Sequence, residues 1–202
     1  IMGYFKNNPP HELWRKLKCR FFVLFNSYAF GAFGKHNFLF NPQLLNPQNI
    51  FLGSNLWISD KTWLATSKKG KLSIGNRVRI GRFSEIYALC SIIIEDGVEM
   101  AENTYISDNT HTYDNIEIPI RNQEVVSLGN VVIGSGTWIG RNACIMGCRI
   151  GKNCVIGAYS FIKKDIPDYC VVVGNPARIV KRFNPQSNRW EKTDKDGNFI
   201  NE

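Results

Sequence analysis

Residues 131–162 read VVIGSGTWIGRNACIMGCRIGKNCVIGAYSFI, with isoleucine at Ile133, Ile139, Ile145, Ile150, Ile156 and Ile162 and glycine directly behind most of them, at Gly134, Gly140, Gly151 and Gly157. Compact side chains stand four places after the aliphatic, at Thr137, Ala143, Cys154 and Ser160. A helical period of about 3.6 predicts none of this, and a hairpin protein does not hold one phase so long. A six-residue unit fits one short flat strand plus a corner, and three units close a triangular coil of about 18 residues. Its corners call for backbone that β-branched residues resist and that glycine, asparagine and aspartate accept. Coil then stacks on coil at about 4.8 Å, aliphatic upon aliphatic, around a dry axis.

The same beat runs back through Leu52, Ile58 and Leu64, then Ile74, Ile80 and Ile86, then Ile94, Met100 and Ile106. It slips twice by a little. Ile86 to Ile94 is eight residues and Ile145 to Ile150 is five; both read as a bulge or a tightened corner. Between Ile106 and Ile133 it stops altogether, which requires a loop thrown out of the stack over about 107–130. Long loops in compact folds are disproportionately functional.

Composition sets the bounds. A 202-residue chain that is 44% hydrophobic can bury a real core. No apolar run approaches the roughly 20 residues that span a bilayer, and no secretory leader is visible, so the expected location is the cytoplasm. Cys19, Cys90, Cys144, Cys148, Cys154 and Cys170 show no metal-finger spacing and are expected to be reduced and mostly buried. The net charge of +8 points to an anionic partner. Of the three histidines, His11 and His36 precede the repeats and His111 stands alone in the loop, so no metal centre is expected. Residues 12–25, ELWRKLKCRFFVLF, mix Arg15, Lys16, Lys18 and Arg20 with apolar residues at helical spacing. One reading is a basic amphipathic helix giving weak peripheral contact with a membrane, the other a cap on the first coil.

On these residues the sequence resembles the hexapeptide-repeat acyltransferases, and within them the sugar and polysaccharide O-acetyltransferases, including the galactoside and maltose branch. The resemblance implies an all-β solenoid, a left-handed parallel β-helix with triangular coils and one extruded loop. It would comprise an N-terminal helical or capping segment (1–48), the β-helix domain (49–181) and a polar C-terminal tail (182–202). In that family a histidine in a D-x-x-H stretch at the loop base acts as general base, and SDNTH, residues 107–111, matches it. The resemblance thus casts His111 as the base, with Asp108 orienting the imidazole or holding an acceptor hydroxyl, unless it caps a turn. The asparagine that the galactoside branch sets on a preceding coil has no clear counterpart; Ser84, Tyr87 and Ser91 lie nearest, and Ser84, Tyr87, Tyr113 and Gln123 are the candidate acceptor contacts.

Acetyl-CoA is the implied cosubstrate. Trp138 would flank the thioester channel, Gly140 and the N–H of Arg141 would face the reacting group, and Gly157 and Ala158 would leave room for pantetheine. Lys163, Lys164, Arg178 and Lys181 would meet the phosphates, while Tyr159 stands where the family's closing signature has glycine. A homotrimer with the site between neighbouring prisms is implied as well. The expected reaction is acetylation of a saccharide hydroxyl, in a cell-surface polysaccharide or its precursor. The alternatives are N-acetylation of a nucleotide-linked amino sugar and a non-catalytic β-helix scaffold. Nucleic acid is not among the expected partners.

Overall fold

The computed structural model describes residues 9–200. Three parallel sheets form the faces of a triangular prism, a left-handed β-helix of about seven turns. Each coil lays one short strand on face A, the next on face B and the third on face C. Complete coils span 32–45, 50–66, 71–88, 91–107, 131–146 and 149–162, and an incomplete seventh ends at 173.

The beat gives the register directly. On face A, Leu52, Ile74, Ile94, Ile133 and Ile150 stack in line. On face B the column is Ile58, Ile80, Met100, Ile139, Ile156 and Val172, and on face C it is Leu64, Ile86, Ile106, Ile145 and Ile162. None of these side chains is more than 3% exposed. Burying one such side chain favours folding by about 1.5–3 kcal/mol, so the columns carry the fold.

Both ends differ from the segment boundaries expected above. The first coil begins at Ala32–Phe33 and runs through Phe38–Leu39 and Gln43–Leu45, well before residue 49. Its inward positions, Phe33, Leu39 and Leu44, align with Leu52, Ile58 and Leu64. An aromatic residue opens this coil, and its last step is five residues, which hides it from a search for aliphatics six apart. Before it lies a helix, α1 (Pro10–Asn26), whose Cys19, Phe22 and Val23 pack onto the first coil. At the other end, Arg178–Asn184 folds back antiparallel on Cys170–Val173 and Arg189–Lys192 pairs with it, where an extended tail was expected. Phe183 sits between Trp190 (5.8 Å) and Tyr169 (6.3 Å), an aromatic cluster that draws the polar segment back over the last rung. The helix thereby covers the first coil, and the fold-back covers the face-B edge of the last.

The corners are not alike. At the A–B and B–C corners the third residue after the inward aliphatic is left-handed in coil after coil: Asn55 and Lys61, Arg77 and Phe83, Gly97 and Asn103, Gly136 and Asn142, Asn153 and Tyr159. Glycine behind the aliphatic is a separate requirement. A Cβ at Gly53 would meet the carbonyl carbon and oxygen of Gly75 at 2.6 Å, because coils approach backbone to backbone there. The C–A corner follows no such rule, and beyond the first coil, whose five-residue step is at its B–C corner, the departures from the beat fall on it, as at 67–70, 89–90, 108–130 and 147–148.

Candidate functional site

The polar stretch leaves the prism at the C–A corner as half of a hairpin. Asn109–His111 runs outward and Val125–Ser127 returns antiparallel, with His111 opposite Val125. The tip is tied internally, since Gln123 Nε2 donates to the carbonyls of Asn115 (2.8 Å) and Ile118 (3.1 Å). His111 is exposed at the outer end of its strand, and among the described residues its ring makes no hydrogen bond or ion pair.

Asp108 is fully buried at the foot of this hairpin. Its carboxylate accepts from the backbone N–H groups of Leu89 (2.7 Å), Cys90 (2.7 Å) and Ser91 (2.8 Å), one coil earlier, and from Asn109 Nδ2 (3.2 Å). Successive N–H groups converging on one anion form a nest. The carboxylate expected to orient an imidazole or an acceptor hydroxyl is therefore turned to the backbone, and it bears on His111 through the strand that carries both.

Both small slips in the beat serve this foot. The eight-residue step supplies the extra corner whose amides hold Asp108. The five-residue step turns at Gly147, which has φ +57° and where a Cβ would lie 2.7 Å from the carbonyl oxygen of Leu128. Leu128 N–H donates to the Asp108 carbonyl at 2.8 Å, and Gly147 N–H donates to that of Ser107 at 3.0 Å. The hairpin base is thus clamped from below and above. Sequence reading saw the slips and the loop as separate events; the amides of Leu89, Cys90 and Ser91, and Gly147, were the functional elements it missed. The only signal was that the slips flank the loop.

The expected cosubstrate residues divide between two edges. Trp138 projects from face B, 51% exposed, between Glu99 and Val155 in register. Gly140 and Arg141 form the B–C corner of their coil and Gly157 and Ala158 that of the next, so close that a Cβ on Gly140 would lie 2.6 Å from the Ala158 nitrogen. The amide of Arg141 has no partner among the described residues. Arg178 and Lys181 extend the same face, opposite Val173 and Val171. Lys163 and Lys164 instead follow Phe161–Ile162 of face C, and so lie on the C–A edge with His111. Face B is opposite that edge, so within one chain His111 and Trp138 are separated by the body of the prism.

The acceptor candidates divide too. Ser84 is fully buried, its hydroxyl donating to the Ala101 carbonyl and accepting from Thr104 N–H, both at 3.3 Å, so it is structural. Tyr87 lies on face C beside Ser107 at the hairpin foot, stacked parallel on Trp63 at 5.8 Å. Tyr113 is 70% exposed on the hairpin tip. Among the described residues no three His, Cys, Asp or Glu side chains gather closely enough to hold a metal ion.

Comparison with known proteins agrees with this geometry. Residues 130–164 match the family "Bacterial transferase hexapeptide (six repeats)". The chain is 34% identical over 161 residues to a probable acetyltransferase, Rv3034c, of Mycobacterium tuberculosis, covering 71% of this chain and 53% of that protein. It therefore spans about half the length of that relative. It is 27% identical to the putative lipopolysaccharide biosynthesis O-acetyl transferase WbbJ of Escherichia coli, over 73% of this chain and 79% of the relative. Among solved structures, AntD, an N-acyltransferase from Bacillus cereus in complex with dTDP and 3-hydroxybutyryl-CoA, superposes with a TM-score of 0.69 at 23% identity, covering 81% of this chain and 89% of its own. At that identity the match concerns the fold.

Proposed function

We propose that this hexapeptide-repeat chain, similar to bacterial acetyltransferases, is an acetyl-CoA-dependent O-acetyltransferase acting on a saccharide hydroxyl, in a cell-surface polysaccharide or its precursor. The observation that carries the reading is the foot of the hairpin: a rigid solenoid commits a buried carboxylate, two irregular corners and a glycine to holding one exposed histidine at its edge.

In the reaction the neutral imidazole of His111 takes the proton of the acceptor hydroxyl as its oxygen attacks the thioester carbonyl. The tetrahedral oxyanion accepts hydrogen bonds from corner amides, for which the unpaired N–H of Arg141 is the candidate. Collapse expels the thiolate of coenzyme A, and the imidazolium returns its proton to that sulfur. No acyl-enzyme forms, and holding both reactants together supplies much of the rate.

The separation of His111 from Trp138 in one chain fits a site shared between copies. In a cyclic trimer the C–A edge of one prism, with His111, Lys163 and Lys164, faces the B–C side of the next, with Trp138, Gly140, Gly157 and Ala158. Coenzyme A would lie in the cleft, its phosphates meeting Lys163, Lys164, Arg178 and Lys181. The name of the Escherichia coli relative supports a hydroxyl acceptor, and the reading puts the reaction in the cytoplasm. The test is His111→Ala. It is expected to keep acetyl-CoA affinity and to lose about 10²–10⁴-fold in transfer to a glycan panel that includes amino sugars as controls. Unchanged transfer would remove the base; absence of acetyl-CoA binding by the unmodified chain would favour a scaffold; and transfer only to amines would replace O- with N-acetylation.

A further inference from the structure

α1 has one face committed to the fold and one that is not. Cys19 is buried against the first coil, with Phe22 and Val23 beside it. Arg15 is tied down as well, paired with Glu12 at 3.1 Å and stacked over the Phe40 ring at 4.4 Å. On the opposite side Trp14, Leu17, Phe21 and Leu24 recur at steps of three and four, and Phe25 stacks with Phe21. These side chains are 41–68% exposed. A fold that hides its aliphatic columns almost completely leaves this stripe in solvent, and contiguous exposed apolar surface marks an interaction site.

We infer that this face of α1 is an in-plane contact for an anionic lipid bilayer surface. Aromatic and leucine side chains on one side with cations beside them are the composition of an interfacial helix. Lys18 and Arg20 are exposed, and Lys18 reaches over the Trp14 ring at 5.7 Å. The only acid in the helix is Glu12, already paired with Arg15. The net charge of +8 adds long-range attraction to anionic headgroups. At 17 residues the helix is about 25 Å long, and no helix among the described residues is long and apolar enough to cross a membrane. It therefore lies along the surface. A second copy is the poorer occupant, because packing two such faces together gathers the Lys18 and Arg20 cations of both at one interface, while the only acid of the helix, Glu12, is already paired with Arg15. The contact is made at the first coil, whereas the hairpin leaves after the fourth, so bound protein keeps its C–A edge free.

The test is sedimentation of the full chain with vesicles of phosphatidylcholine alone and of phosphatidylcholine mixed with phosphatidylglycerol. The protein is expected to pellet with the anionic vesicles only and to be released by salt. Phe21→Ser with Phe25→Ser, and separately Lys18→Glu with Arg20→Glu, should each lower partition by about tenfold or more. Their unfolding midpoints should stay unchanged, because all four side chains are exposed. Wild-type protein that remains in the supernatant, or a Phe21→Ser/Phe25→Ser protein that pellets like wild type, overturns the assignment. So does loss of vesicle binding by every form together with a smaller sedimenting species for the serine variant, which would give the face to a second copy.

Discussion

Two corners of the prism repeat and the third does not. The A–B and B–C corners hold one left-handed residue each, coil after coil, even where that residue is Lys61, Arg77, Phe83 or Tyr159. The C–A corner is a tight turn in one coil, a wider turn in another and a 23-residue excursion, 108–130, between them. Regular corners maintain the stack and tolerate backbone strain of about 1–2 kcal/mol per left-handed side chain to do so. The irregular corner is where the stack gives up its beat to hold something outside itself, and what it holds is the strand ending in His111.

That contrast can be tested in descending order of effect. Asp108→Ala should be the most destabilising, by about 3 kcal/mol, because it leaves three convergent amides, those of Leu89, Cys90 and Ser91, without their shared acceptor. Denaturant unfolding measures this, and Asp108→Asn should recover part of it; equal stability of Asp108→Ala and wild type would dissolve the clamp. Limited proteolysis of the same variant should cut first within 108–130. Gly147→Ala should follow at about 1–3 kcal/mol, since the added methyl meets Leu128 in a left-handed backbone. The comparable change at a regular corner, Asn142→Ala, carries only the conformational penalty, about 1 kcal/mol. If Asn142→Ala costs as much as Gly147→Ala, the corners are not different in kind.

Relieving strain at a regular corner should act in the opposite direction and more weakly. Lys61→Gly is expected to stabilise by no more than about 1 kcal/mol, read as a small rise in the unfolding midpoint. Alkylation of the native thiols should leave stability untouched. Burial, helped by the nearby carboxylate of Asp165, pushes the Cys148 thiol up to about 12, so near neutral pH it stays protonated and unreactive. Exposed Cys90 should be modified first by iodoacetamide in a mass-mapped time course; early labelling of Cys148 would mean that the corner above the hairpin opens.

Much of this could be read from the chain. The inward aliphatics, the glycines behind them, the interruption at 107–130 and the histidine within it all stand in the sequence, because each depends on contacts that repeat at a fixed spacing. What escaped is instructive. Phe33 and the five-residue step from Leu39 to Leu44 hid the first coil, and the aromatic cluster of Tyr169, Phe183 and Trp190 hid the fold-back of a segment that is mostly polar. Ser84 looked available to an acceptor, yet its coil places it inside.

The sequence by itself determined the prism: a six-residue period of buried aliphatics has one way to form a dry axis, and no distant contact is needed to see it. Only the tertiary structure decided what Asp108 binds, that both slips clamp one hairpin, and that His111 and Trp138 stand on opposite sides of the chain. The reason is geometric. In a coil of about 18 residues, the nearest neighbour of a side chain is one turn away along the chain, so Asp108 and the amides of Leu89, Cys90 and Ser91 touch across a separation that no local pattern records.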